Sequence, residues 1–124
     1  MDIEIKKRQD KEKLLQSVNL KDGWDGENGR APYKQDVDNA IKFMDHIPSH
    51  GLASSRVYIA GDGEVGFDWR EIGLCLEITF NDNDISFFAE INGVEYGSYM
   101  NFNDGFPVEL KALMDVCFSR NQVK

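Results

Sequence analysis

At 124 residues, with 41% hydrophobic and 29% charged side chains, the chain has the balance of a globular domain with its own core and not that of a disordered segment. Its 14 Lys and Arg against 22 Asp and Glu leave a formal charge of −8, which repels phosphate backbones and anionic lipid and argues against direct nucleic-acid or membrane-surface binding. No apolar window has the length of a membrane span, and Met1 to Arg8 lacks the apolar core of a signal peptide, so a cytoplasmic protein is expected.

Residues 1–20 read as an N-terminal helical region: Leu14, Leu15 and Val18 recur at helical spacing between Gln9 and Leu20. Ahead of them Ile3 and Ile5 alternate with charged residues, the pattern of a short strand. Residues 21–32 form a loop, because Gly23, Gly26 and Gly29 break any regular element. Trp24 is its only large apolar side chain and is expected to plug into the core. Residues 33–47 read as a helix with one apolar stripe, Val37, Ala40, Ile41, Met44 and Ile47. Pro32 suits its first turn, Asp36 and Asp38 lie near its positive end, and Pro48 stops it.

From residue 57 to 102 the period switches to two. Val57 to Ile59, Val65 to Trp69, Leu74 to Phe80, Ile85 to Ile91 and Val94 to Met100 read as strands joined by turns too short for a crossover, so successive pairs must be antiparallel. Asn92-Gly93 is the clearest hairpin signal, since a type I′ turn needs positive φ twice. Residues 107–119 read as a C-terminal helix carrying Leu110, Leu113, Met114 and Cys117. The fold class is therefore α+β: an antiparallel β-meander of four to five strands packed by flanking helices, in a single domain. Leu76, Ile78, Phe87, Ala89, Ile41, Met44, Leu110 and Leu113 are the expected core, while Glu77, Thr79, Ser86, Glu90 and Glu95 should form a wet outer face. Cys75 and Cys117 each stand among apolar residues and read as free buried thiols, with a pairing between them left open.

Few residues carry recognisable chemistry. Asp22, Asp25, Glu27 and Asn28 could offer oxygens to a cation, but the loop lacks EF-hand spacing and its closing glutamate, so a turn is the better reading. Gly61, Gly63 and Gly66 match a dinucleotide spacing, yet a strand follows where that motif needs a helix. Asp68, Glu71 and Glu77 invite a paired-carboxylate hydrolase reading, against which stands an ordinary solvated sheet face. His46 and His50 have helical ligand spacing with Pro48 between them and no third ligand nearby, so no metal and no cofactor are expected.

Leu20-x-x-Gly23-Trp24-Asp25-Gly26 followed by Ala31-Pro32, in place of an Ala-x-Pro motif, and a helix, then Gly61-Asp62-Gly63-Glu64-Val65-Gly66-Phe67-x-Trp69, Ile85 to Ala89 and a final Pro-x-x-Leu helix together resemble a loose group of small uncharacterised bacterial and phage proteins, over roughly residues 20 to 115. The resemblance implies a bacterial or mobile-element setting and brings no activity with it. Two functional expectations follow. The first is a non-enzymatic acidic interaction protein, an inhibitor, antitoxin, immunity or anti-defence factor, that binds a basic surface of a protein partner through Asp62, Glu64, Asp82, Asp84, Glu77 and Glu90, with Trp24 and Tyr99 as apolar contacts. The second is a small-ligand binder or enzyme with a pocket between sheet and helices near Trp24, Trp69 and Asp68.

Overall fold

A computed structural model describes residues 3–24, 26, 29–48, 51, 54–101 and 108–119, without the side chains of 98–101, 109 and 119. The sheet is an antiparallel meander in the order β1 (Arg56–Ile59), β2 (Val65–Glu71), β3 (Leu74–Asn81), β4 (Asp84–Ile91) and β5 (Val94–Asn101). The turns explain the order. Asp82 and Asn83 both adopt positive φ, as do Asn92 and Gly93, so two of the hairpins close in two residues.

One face of this sheet is the core. Val65, Phe67, Trp69, Leu76, Ile78, Phe80, Ile85 and Ala89 on that face are wholly buried. Helix α2 (Lys34–Met44) lays Val37, Ala40, Phe43 and Met44 on them, and α3 (Val108–Ser119) adds Leu110, Met114, Cys117 and Phe118. A run of aromatic rings ties the layers together: Phe43 meets Phe80 at 5.5 Å and Phe67 at 5.7 Å, and Trp69 meets Phe118 at 5.3 Å. Of the expected core, Ile41 and Leu113 lie at its margin, only partly buried. Helix α2 is rotated slightly from its predicted stripe so that Phe43, with the larger apolar surface, takes the centre. It also stops at Met44, and with Tyr33 as its N-cap Pro32 lies before its first turn.

Helix α1 (Ile3–Ser17) overturns the expectation of a short strand at Ile3 and Ile5. Its sequence is rich in good helix formers, and Lys6 and Asp10 join at i, i+4 over 2.6 Å. Leu14 is its only hydrophobic residue in the core, while Leu15 and Val18 stay exposed. Polar ties hold it down: Lys7 Nζ reaches Asp45, the C-cap of α2, at 2.9 Å, Lys6 Nζ donates to Ser55 Oγ, and Lys13 Nζ donates to the Val57 carbonyl at 2.8 Å. The Lys7 ammonium holds the Asp45 carboxyl below its ordinary range.

Asp36 is the other structural surprise. It is fully buried, and its carboxylate accepts the backbone N–H groups of Asp82 and Asn83, each at 2.8 Å. A residue expected to complement the helix dipole instead anchors the β3–β4 turn, and Asn39 extends the contact by donating to Asn83 Oδ1.

Candidate functional site

The alternation of the strands sends a second set of side chains to the opposite, outer face, where register decides who meets whom. One row runs Arg56, Asp68, Glu77, Phe88, Gly97 across the five strands. Next to it lie Cys75, Glu90 and Glu95, and on its other side Tyr58, Gly66, Thr79 and Ser86. Among the described residues, the ring contacts of α2 and α3 with the sheet are to the inner-face residues Phe67, Phe80 and Trp69.

The outer face is not uniformly wet. Towards β1 it is sealed by its own side chains. Tyr58 folds across Gly66 and its hydroxyl hydrogen-bonds Thr79 Oγ1 at 2.9 Å, leaving Thr79 buried. Only glycine fits beneath that ring, because a Cβ at residue 66 would stand 2.5 Å from both the Tyr58 hydroxyl and the Ile78 carbonyl oxygen. Burial, then the carboxylates of Glu77, Glu64 and Asp68, push the Tyr58 phenol up to about 12. Asp68 is 4% exposed and is clasped by Arg56, whose Nε and Nη2 donate to its two oxygens at 3.1 and 2.6 Å. Asp68 is thus an ion-paired structural carboxylate on the sealed half of this face.

Towards β4 and β5 the same face opens. Phe88 is 43% exposed and sits opposite Gly97, which offers no side chain to cover it. Glu77 flanks it on β3, and Glu90 stands directly opposite Glu95. The candidate carboxylates of this face, Glu77 and Glu90, are therefore brought around one apolar ring, and the exposed Glu95 joins them.

The remaining candidates gather at one end of the sheet. Asp62 and Glu64 lie at the β1–β2 turn, and Asp82 and Asp84 at the β3–β4 turn. Glu64 is partly buried against Asn81 and Asp62, and burial first, then the Asp62 charge, raises its pKa. The exposed side chain of Asp82 belongs to a turn docked by Asp36, so this tip is more firmly held than a free turn. Across from them the glycine loop closes on the β1–β2 turn: Arg30 N–H donates to the Gly61 carbonyl at 2.8 Å, and Asp22 accepts from Ala31 N–H. The two glycine-rich segments singled out in the sequence are therefore neighbours in space.

Trp24 does not plug into the core as expected. It is half-buried and lies outside the core cluster, and its indole N–H donates to the Arg30 carbonyl at 2.9 Å. The loop closes on itself through backbone hydrogen bonds, so the ring is left at the wall of an open groove of about 440 Å³ with Lys13, Gln16, Leu20, Tyr58 and Ile59. Trp69 lies elsewhere, wholly buried on the inner face with its indole N–H on the Gly51 carbonyl, and Asp68 points to the outer face. The three residues of the pocket expectation do not converge. The side chain of Tyr99, and Asp25, Glu27, Asn28 and His50, lie outside the described residues. Cys75 and Cys117 are not joined by a disulfide; the first is half-buried on the outer face and the second lies in the core.

A further surface went unnoticed in the sequence. Between β5 and α3 runs a groove of about 590 Å³ lined by Phe87, Tyr96, Ala112, Leu113 and Val116, with Glu95 and Gly97 at its rim. Alternation alone marks Tyr96 as inner-face, which it is, but the sheet outruns its helical cover here and leaves it 47% exposed. Among the described residues no three His, Cys, Asp or Glu gather in a metal-binding group, and no helix is long and apolar enough to cross a membrane. Comparison with protein-family models, with curated proteins and with solved structures gave no match.

Proposed function

We propose that this chain is a non-enzymatic interaction protein of the cytoplasm that occupies a basic surface of a protein partner, in the manner of an inhibitor, antitoxin, immunity or anti-defence factor. One observation carries the reading: the open half of the outer face sets Glu77, Glu90 and Glu95 around the exposed ring of Phe88. Carboxylates around an aromatic anchor suit a partner with Lys and Arg around an apolar pocket, since the charges steer and orient while the desolvated ring contributes affinity. The net charge of −8 extends the attraction beyond contact range. Asp62, Glu64, Asp82 and Asp84 at the sheet end enlarge the same acidic field.

The test compares the wild-type chain with the Glu77→Lys/Glu90→Lys variant as baits in the native host, followed by surface-plasmon kinetics on any protein that only the wild type retains. The association rate should fall as added salt shortens the Debye length from roughly 10 Å at 0.1 M to 3 Å at 1 M, with the dissociation rate changing less. An association rate indifferent to both salt and the reversals would sink the reading.

A further inference from the structure

We infer that the open edge of β5, with the groove beneath it, takes an extended segment of a partner protein in which apolar and basic residues alternate. The inference rests on the interaction reading above and specifies a surface and a chemistry for it. β5 is the last strand of the sheet and, among the described residues, pairs only with β4. Ile91 pairs with Val94 across the two-residue Asn92-Gly93 turn, so that pair closes the hairpin with hydrogen bonds. Alternation along the ladder then makes Glu90·Glu95 and Phe88·Gly97 the non-hydrogen-bonded pairs. The N–H and C=O groups of Glu95 and Gly97 therefore point away from β4, and none of the described residues bonds to them. A strand laid along this edge meets a ready row of donors and acceptors.

Side chains on the two faces select what that strand must be. On the inner side, the groove walls of Phe87, Tyr96, Leu113 and Val116 are apolar, with Tyr96 and Val116 47% and 55% exposed. Every second residue of an incoming strand would face them, and apolar residues fit there. On the outer side, Glu90 and Glu95 form a directly opposed like-charge pair at the spacing where side chains stand closest. Neither has an ion pair among the described residues. A Lys or Arg at the intervening positions of the incoming strand would lie beside Glu95 and relieve that repulsion. A second copy of β5 cannot supply it, because Val94 to Asn101 contains neither Lys nor Arg.

The probe is a blocked, fluorescein-labelled peptide of alternating lysine and valine, about nine residues and so long enough to span an average strand, with an alternating glutamate–valine peptide as control. Fluorescence anisotropy should show saturable binding of the basic peptide and at least tenfold weaker binding of the acidic one. Gly97→Pro should weaken the basic peptide at least tenfold, because it deletes an outward-facing N–H while sparing the bonds to β4. Glu95→Lys and Val116→Asp should each do the same, and circular dichroism should show all three variants folded. The inference is overturned if Gly97→Pro or Glu95→Lys binds the peptide as well as wild type, or if the acidic peptide binds equally. It is also overturned if sedimentation shows a dimer that Gly97→Pro dissociates, since a second copy would then own the edge. A partner lost by Glu77→Lys/Glu90→Lys but retained by Gly97→Pro would overturn the edge inference and leave the interaction reading standing.

Discussion

The two edges of the sheet are built on opposite principles. β1 is four residues long, and α1 lies against it with Lys13 donating to the Val57 carbonyl. Tyr58 folds inward over Gly66, and Arg56 is tied to Asp68. β5 is eight residues long, pairs with β4 in an unbroken register, and carries no Lys, Arg or Pro. Unpaired edges invite association, and proteins blunt them with short strands, lysines, prolines or covering helices. Among the described residues β1 uses several of these devices and β5 uses none, although both belong to one small sheet. That contrast is why the proposed binding is placed at β5.

The guarded half should be the more fragile. Gly66→Ala is expected to cost about 2 kcal/mol or more, because the new methyl must displace both Tyr58 and the Ile78 backbone. A chemical-denaturation midpoint equal to wild type would mean that Tyr58 does not seal this face. On the open half, Gly93→Ala meets no atom within 4 Å but holds φ at +86°, so its expected cost is purely conformational, about 1 kcal/mol. If it matched Gly66→Ala, the contrast between a packed and an open half would fail.

Lys13→Met removes the donor to Val57 from the β1 edge. One part-exposed hydrogen bond contributes about 0.5 kcal/mol, so stability should hardly change. Light scattering should rise with concentration instead, and a variant as monodisperse as wild type would show that α1 guards the edge without its lysine. The smallest effect concerns Glu64. Its pKa is raised in the fold, so the native state holds this proton more tightly than the unfolded chain and stability falls as pH rises through the folded pKa. Glu64→Gln should therefore be as stable as wild type or slightly more so at neutral pH, and the difference in melting temperature, variant minus wild type, should grow as pH rises through the carboxylate range. A difference that shrinks as pH rises would reverse the sign.

The strands were legible because their signal is local. A period of two, interrupted by Asn-Asp and Asn-Gly turns, permits only an antiparallel meander. Helix α1 was legible in its second half, from Gln9 on; its first half is held by Lys6 and Lys7 reaching Ser55 and Asp45, far along the chain. Asp36 was visible as an acid in a first helical turn, but nothing nearby in sequence announces that its carboxylate holds the β3–β4 turn. Trp24 shows the converse error. A large ring in a glycine loop suggests a plug in the core, whereas the half-buried ring stays outside the core cluster and ties the loop through its N–H to the Arg30 carbonyl.

By itself, then, the sequence determined the class of fold, the pairing of successive strands and the face each strand residue takes, since these follow from side-chain period and turn stereochemistry over a few bonds. It also set the sign of the chain's own net charge. Only the tertiary structure decided which carboxylates are used up and which remain: Asp36 and Asp68 are consumed by a turn and an arginine, while Glu77, Glu90 and Glu95 surround Phe88. It alone decided that the helices cover β2 and β3 well and leave Tyr96 of β5 bare. Cover and charge pairing depend on contacts between residues far apart in the chain, and no local pattern encodes where a helix runs out of sheet to cover.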